Sequence, residues 1–163
     1  MIPTGTLHDD GRTLVLTRTF MAGIEEVWAS VTESERLGRW FGTWTGDPAS
    51  GSVMVTMNAE PESGSAQRFD IRACEPPRLL SVSAINDYGH WHLTVELSAV
   101  AGTTTLELRQ EEVDPGSLAE TGPGWEWYLD RLVAALTEQA LPTIEDFTAA
   151  YLPMGAAYAA MHG

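Results

Sequence analysis

The stretch Val27-Trp28-Ala29-Ser30-Val31-Thr32-Glu33-Ser34-Glu35-Arg36-Leu37-Gly38-Arg39-Trp40-Phe41 carries two helical signals back to back. Ile24, Val27, Trp28 and Val31 stand at i, i+3, i+4 and i+7 and form one apolar stripe. Glu25 and Glu26 sit at the end where the helix dipole favours negative charge. Thr32 followed by Glu35 has the form of a capping box, which predicts a second short helix through Leu37 to Trp40 and Phe41, weakened at Gly38. Immediately upstream, residues 13–20 set Leu14 and Leu16 in alternation about Val15, the pattern of a strand. Two short helices therefore follow the first strand.

Downstream of Phe41 the apolar period changes to two, with turn residues at 47–51, 60–65, Pro76-Pro77, 86–89 and Ala101-Gly102. Val53, Val55 and Met57 form one alternating set, Phe69, Ile71 and Ala73 a second, and Trp91, Leu93, Val95 and Leu97 a third, the last interleaved with His90, His92, Thr94 and Glu96. Ala101-Gly102 closes an antiparallel hairpin that turns Leu106 and Leu108 to the same core. Residues 114–124, rich in Gly, Pro, Ser and Asp, read as a loop. A long helix should then begin within about three residues of Trp125, with Trp125, Leu129, Leu132, Val133 and Leu136 buried, and end at Pro142. Residues 143–163 add Ile144, Phe147, Tyr151, Leu152, Met154, Tyr158 and Met161, too much apolar surface for a free tail. They should dock as a short helix on the domain's own body or on a second subunit, as a homodimer contact.

At 163 residues the chain has the size of one domain, 1–163, with a core over about 13–141 and a C-terminal helical extension over 142–163. Nine Arg, no Lys and 23 Asp plus Glu give a net charge of −14, which repels nucleic-acid phosphates and anionic membrane surfaces. The absence of lysine also removes Schiff-base chemistry. A single cysteine, Cys74, cannot form an internal disulfide and reads as a small hydrophobe in a strand. The first residues carry neither a basic region nor an apolar run, so a cytoplasmic protein is expected, and no apolar stretch reaches the ~18 residues of a membrane span.

The order of strand, two short helices, antiparallel strands and long C-terminal helix resembles the helix-grip fold, and residues 27–41 resemble the signature V-W-x-x-[LV]-T-x-x-x-x-L-x-x-W-[FL] of the SRPBCC superfamily. Within it, the chain resembles the branch homologous to the activator of heat-shock-chaperone ATPase. Leu93 to Leu97 with Gly102 to Leu108 resemble that branch's final hairpin, and Gly124-Trp125 with Leu129, Leu132 and Leu136 the start of its long helix. It departs from that pattern at Ala22-Gly23, where the family often has proline, and at Gln110, where it often has histidine. The resemblance implies an α+β fold: a curved antiparallel sheet of about six or seven strands wrapped around the long helix, with a cavity between them. It also implies three kinds of role: binding of a small molecule, cyclase- or hydratase-like catalysis, and regulation of a chaperone partner.

Motifs of reaction chemistry are sparse. There is no G-x-S-x-G elbow, and Gly122-Pro123-Gly124 lacks the rest of a phosphate loop. His90 and His92 point to one side of a strand, but alternation with Trp91 and Leu93 puts them toward solvent, so no metal, cofactor or catalytic residue is expected. What stands out is aromatic: Trp40, Trp44, Phe69, Trp91, Trp125 and Tyr128 come from elements that the helix-grip fold gathers around its cavity, where they would either fill the core or line a pocket. Gln110 follows Leu106 and Leu108 inward, and a buried amide is either satisfied by the fold or faces a ligand. With Tyr88 at a hairpin end, these residues form the candidate site for a small, mostly apolar molecule.

Overall fold

The computed structural model describes residues 1–60, 64–86 and 89–162. One sheet of eight antiparallel strands runs in the order β1-β2-β8-β7-β6-β5-β4-β3. The strands are β1 (Thr6–Leu7), β2 (Leu14–Phe20), β3 (Gly42–Thr45), β4 (Ser52–Met57), β5 (Gln67–Glu75), β6 (Leu79–Asn86), β7 (Gly89–Val100) and β8 (Thr103–Glu111). The count exceeds the expected six or seven because β1 and β3, at the two edges, are too short to display an alternating pattern. On β8 burial follows the alternation: Leu106, Leu108 and Gln110 are buried on one face while Thr105, Glu107 and Arg109 take the other. A register shift between Ile71 and Ala73 bends β5 and sets Ala73 opposite Ser81 on the outer face, where Arg72 reaches Ser83.

Helix α1 (Ile24–Thr32) and α2 (Ser34–Leu37) follow β2. The expected Thr32 capping box does not form: the Thr32 hydroxyl donates back to the Trp28 carbonyl inside α1, and Glu35 pairs with Arg39 instead. Glu33 is the extended hinge between the helices, and α2 ends at Leu37, so Trp40 and Phe41 lie in the turn beyond it. Ser34 then clips the next strand, its hydroxyl donating to the Trp44 carbonyl and accepting from the Trp44 N–H.

The long helix α3 (Leu118–Leu136) starts seven residues before Trp125, so 118–124 is helix and not loop. Two features allow Gly122-Pro123-Gly124 inside it. Proline lacks the N–H that would bond the Ala119 carbonyl, and this carbonyl faces Gly155, where an added Cβ would come within 2.6 Å of it. Gly122 leaves a groove filled by the Tyr158 ring, where a Cβ would sit 2.3 Å from the ring carbon.

The extension folds back on this helix. Thr143 and Asp146 form a capping box that opens α4 (Ile144–Asp146), followed by a π-helical turn over Phe147–Tyr151, a tight turn over Leu152–Met154 and α5 (Gly155–Ala160). Tyr151, Met154 and Tyr158 are buried with the core residues of α3 and the sheet. Among the described residues, no helix is long and apolar enough to cross a membrane.

Candidate functional site

Gln110 and Trp125 meet where β8 faces α3: the indole Nε1–H donates to the Gln110 Oε1 at 2.7 Å, with both side chains buried. The amide is thus satisfied by the fold. Around this bond the rings form a ladder. Phe69 from β5 meets Trp91 from β7 at 6.4 Å, Trp91 meets Trp125 at 6.4 Å, and Trp125 stacks on Phe41 at 6.2 Å and 9°. Tyr128, one turn along α3, touches Phe41 at 5.0 Å, and Trp40 lies against Phe41 at 5.5 Å. Such tilted and offset contacts suit the quadrupoles of the rings. Trp91, between Phe69 and Trp125, is the half-buried member.

Tyr128 donates its phenolic proton to the Glu60 Oε2 at 2.6 Å, which pins residue 60 over α3. Burial first, and the Glu60 carboxylate second, push this phenol far above its ordinary value, so it holds its proton at any physiological pH. Trp40 and Trp44 have a second task. Their Nε1–H groups donate to the Ser30 and Thr32 carbonyls, satisfying the last turn of α1. Trp44 is thereby anchored to α1 and stands apart from the ladder, while Tyr88 lies outside the described residues.

A second polar centre, absent from the sequence reading, lies where β2, α3, the N-terminal residues and the extension meet. The buried Glu126 carboxylate accepts from the Thr4 N–H at 2.6 Å, the Arg18 guanidinium at 2.8 Å and the Tyr158 hydroxyl at 2.5 Å. Arg18 also donates to Asp130 at 3.0 Å, and Asp130 accepts from Tyr151 at 2.7 Å. Burial pushes the Glu126 carboxyl up, but the hydrogen bonds from Tyr158, Thr4 and Arg18 outweigh it and hold the carboxyl below its ordinary value. Its oxygens are fully engaged, which makes this centre a fastening and leaves it no free lone pair for reaction chemistry.

Of two surface hollows of about 360 and 350 Å³, the first touches the ring cluster only through Trp40 and the second lies away from it. The first opens between α1, α2 and the end of α3 beside Arg36, Arg39 and Glu138, the second beside Arg18 and Met154. His90 and His92 face outward as expected, 3.6 Å from Glu112 and 3.8 Å from Glu111. Among the described residues no group of His, Cys, Asp and Glu is arranged to hold a metal ion. Cys74 is exposed, in contrast to the small-hydrophobe reading.

Comparison with known proteins adds a family and a set of folds. The family model described as Activator of Hsp90 ATPase homolog 1-like protein matches residues 21–137. The crystal structure of CalU16 from Micromonospora echinospora superposes with a TM-score of 0.74 at 28% identity, over 92% of this chain and 88% of CalU16. DynU16, a protein in the dynemicin biosynthetic locus, is similar at 21% identity and a TM-score of 0.66, over 77% of this chain and 47% of DynU16. Protein MLL2253 from Mesorhizobium loti is similar at 21% identity and 0.67, over 80% and 100%. No curated protein matches the chain.

Proposed function

The chain belongs to the Activator of Hsp90 ATPase homolog 1-like family, and from that premise we propose that it binds a small, mostly apolar molecule between the sheet and α3, inside the cell. The observation that carries this is the ring ladder from Phe69 through Trp91 and Trp125 to Tyr128, with the Gln110 amide and the Tyr128–Glu60 pair as polar groups beside it. Aromatic faces give broad apolar contact at small entropic cost, and a few placed polar groups fix orientation. The ligand enters by displacing Trp91, the half-buried ring. Gln110 exchanges its bond with Trp125 for one with the ligand.

The Tyr128–Glu60 pair supports a second reading, a cyclase-like enzyme using the same space. There the protonated phenol would orient a carbonyl and the Glu60 carboxylate would accept a proton.

The test is a titration of the protein with the neutral aromatic probe N-phenyl-1-naphthylamine, read by tryptophan fluorescence. Binding predicts saturable quenching, with the dissociation constant raised several-fold in Trp125→Ala and Gln110→Leu. Absence of saturable quenching, or the same constant in both variants, overturns the proposal.

A further inference from the structure

The outer face of the sheet carries a constellation that the ring ladder does not use. Ser81 on β6 pairs in register with Thr94 on β7, and His92 pairs with Glu111 on β8, so four polar side chains from three strands share one patch. The Ser81 Oγ lies 3.3 Å from the His92 Nε2, and the His92 Nδ1 lies 3.8 Å from a Glu111 carboxylate oxygen. The Thr94 hydroxyl donates to the other Glu111 oxygen at 2.6 Å and lies 3.2 Å from the Ser81 Oγ, fixing the carboxylate on one side and the serine on the other. The tautomer that carries its proton on Nδ1, toward Glu111, leaves the Nε2 lone pair for Ser81. This is the order nucleophile, base, orienting acid, with Ser81 and His92 in hydrogen-bond range and the His92–Glu111 contact a longer, electrostatic one.

A positive group stands beside it. Arg72, on the same outer face, donates to the Ser83 Oγ at 2.9 Å, and Ser83 is the register partner of His92. We infer that Ser81, His92 and Glu111 form a nucleophilic centre for small carboxylic esters bearing an anionic arm, with Arg72 holding that arm.

In the reaction the Ser81 Oγ forms a bond to the acyl carbon while its proton passes to the His92 Nε2. The carbon–oxygen bond to the leaving group then breaks, and the departing oxygen takes that proton as an alcohol. Water then gives a proton to the same nitrogen as its oxygen bonds to the acyl carbon, and as the acyl–Ser81 bond breaks the serine oxygen takes that proton back, releasing the carboxylic acid. Ser81 lies on the outer face of the sheet but is only 8% exposed, so water reaches the acyl-serine past the His92 and Glu111 side chains, which are 28% and 33% exposed. Ser81 and His92 are the catalytic residues, and Glu111 and Thr94 position the imidazole and the hydroxyl.

The experiment is labelling of the full chain with a fluorophosphonate, whose phosphorus bonds to an activated serine oxygen as fluoride leaves, followed by mass spectrometry of the peptides. We expect one adduct at Ser81, absent in Ser81→Ala, retained in Ser83→Ala, and formed roughly a hundredfold more slowly in His92→Gly. Added imidazole should restore labelling of His92→Gly, and Glu111→Asp should label faster than Glu111→Gln, neither of which a purely structural role would produce. No adduct at Ser81 in the unaltered protein, or labelling indifferent to His92→Gly, overturns the inference.

Discussion

At Glu126 one carboxylate fastens four parts of the chain: Thr4 and Gly5 near the start, Arg18 on β2, Tyr158 on α5, and its own helix. Replacing it by Gln keeps the shape but leaves the Arg18 charge, which is mostly buried, with only Asp130 opposite it. Removing one partner of a buried ion pair costs on the order of 3 kcal/mol, so Glu126→Gln should lower the unfolding free energy at pH 7 by about that much, measured by urea denaturation. Because the folded carboxyl titrates below its ordinary value of 4.5, its stabilisation is complete above that value and is lost as the pH falls through the folded pKa. The difference between the unaltered protein and Glu126→Gln should therefore be full at pH 7 and shrink steadily below pH 4.5, and a constant difference down to acid would contradict this assignment. None of this was legible in the sequence, since Thr4 and Tyr158 lie 122 and 32 residues from Glu126 and no local spacing connects them.

Among the elements, α3 tests the argument most directly. On an exposed helix, Gly→Ala stabilises by roughly 1 kcal/mol, and propensity alone predicts the same gain at position 122. Here the added Cβ would meet the Tyr158 ring at 2.3 Å, so Gly122→Ala should instead destabilise by about 2 kcal/mol, the cost of overpacking. Combining it with Tyr158→Ala should cost much less than the two single changes added together, because one removes the obstacle the other meets. Additive losses in thermal melts would mean that the groove does not matter. The same contact explains where sequence reading succeeded and failed. Strands with one buried face, such as β7 and β8, announce themselves by alternation, and the stripe Ile24, Val27, Trp28 and Val31 announces α1. The Gly122-Pro123-Gly124 run reads as a break because propensity is local, whereas the partner that stabilises it as helix, Tyr158, is supplied from a distant segment. For the site, the aromatic residues and the inward Gln110 were legible from side-chain type and period. Trp44's role against Thr32 and the Ser81–His92–Glu111 juxtaposition were not, since they depend on register between strands and helices.

On the scale of the whole molecule, the family-matched region ends at residue 137, yet the described core does not close there. Beyond it, Tyr151, Met154 and Tyr158 are buried, and Phe147 packs on Trp127 at 5.6 Å. The Trp127 Nε1–H donates to the Thr143 carbonyl, and Arg131 to the Pro142 carbonyl at 2.7 Å while its guanidinium lies 4.9 Å over the Trp127 ring. Burial of three such side chains contributes about 6 kcal/mol, comparable with the ~5–15 kcal/mol that separates a folded domain of this size from its unfolded chain. A chain ending at Leu141 would also strip Tyr158 from Glu126 and Tyr151 from Asp130, leaving the ionic centre open to water along the α3 face that now carries the extension. Such a chain should melt at least about 10 °C lower and expose Trp127, seen as a red shift of its emission, with added self-association through the bared apolar face in sedimentation. An unchanged melting temperature together with an unchanged emission maximum would show that the extension rests on the domain without supporting it, and would remove the ground for counting residues 142–163 as part of one cooperative unit.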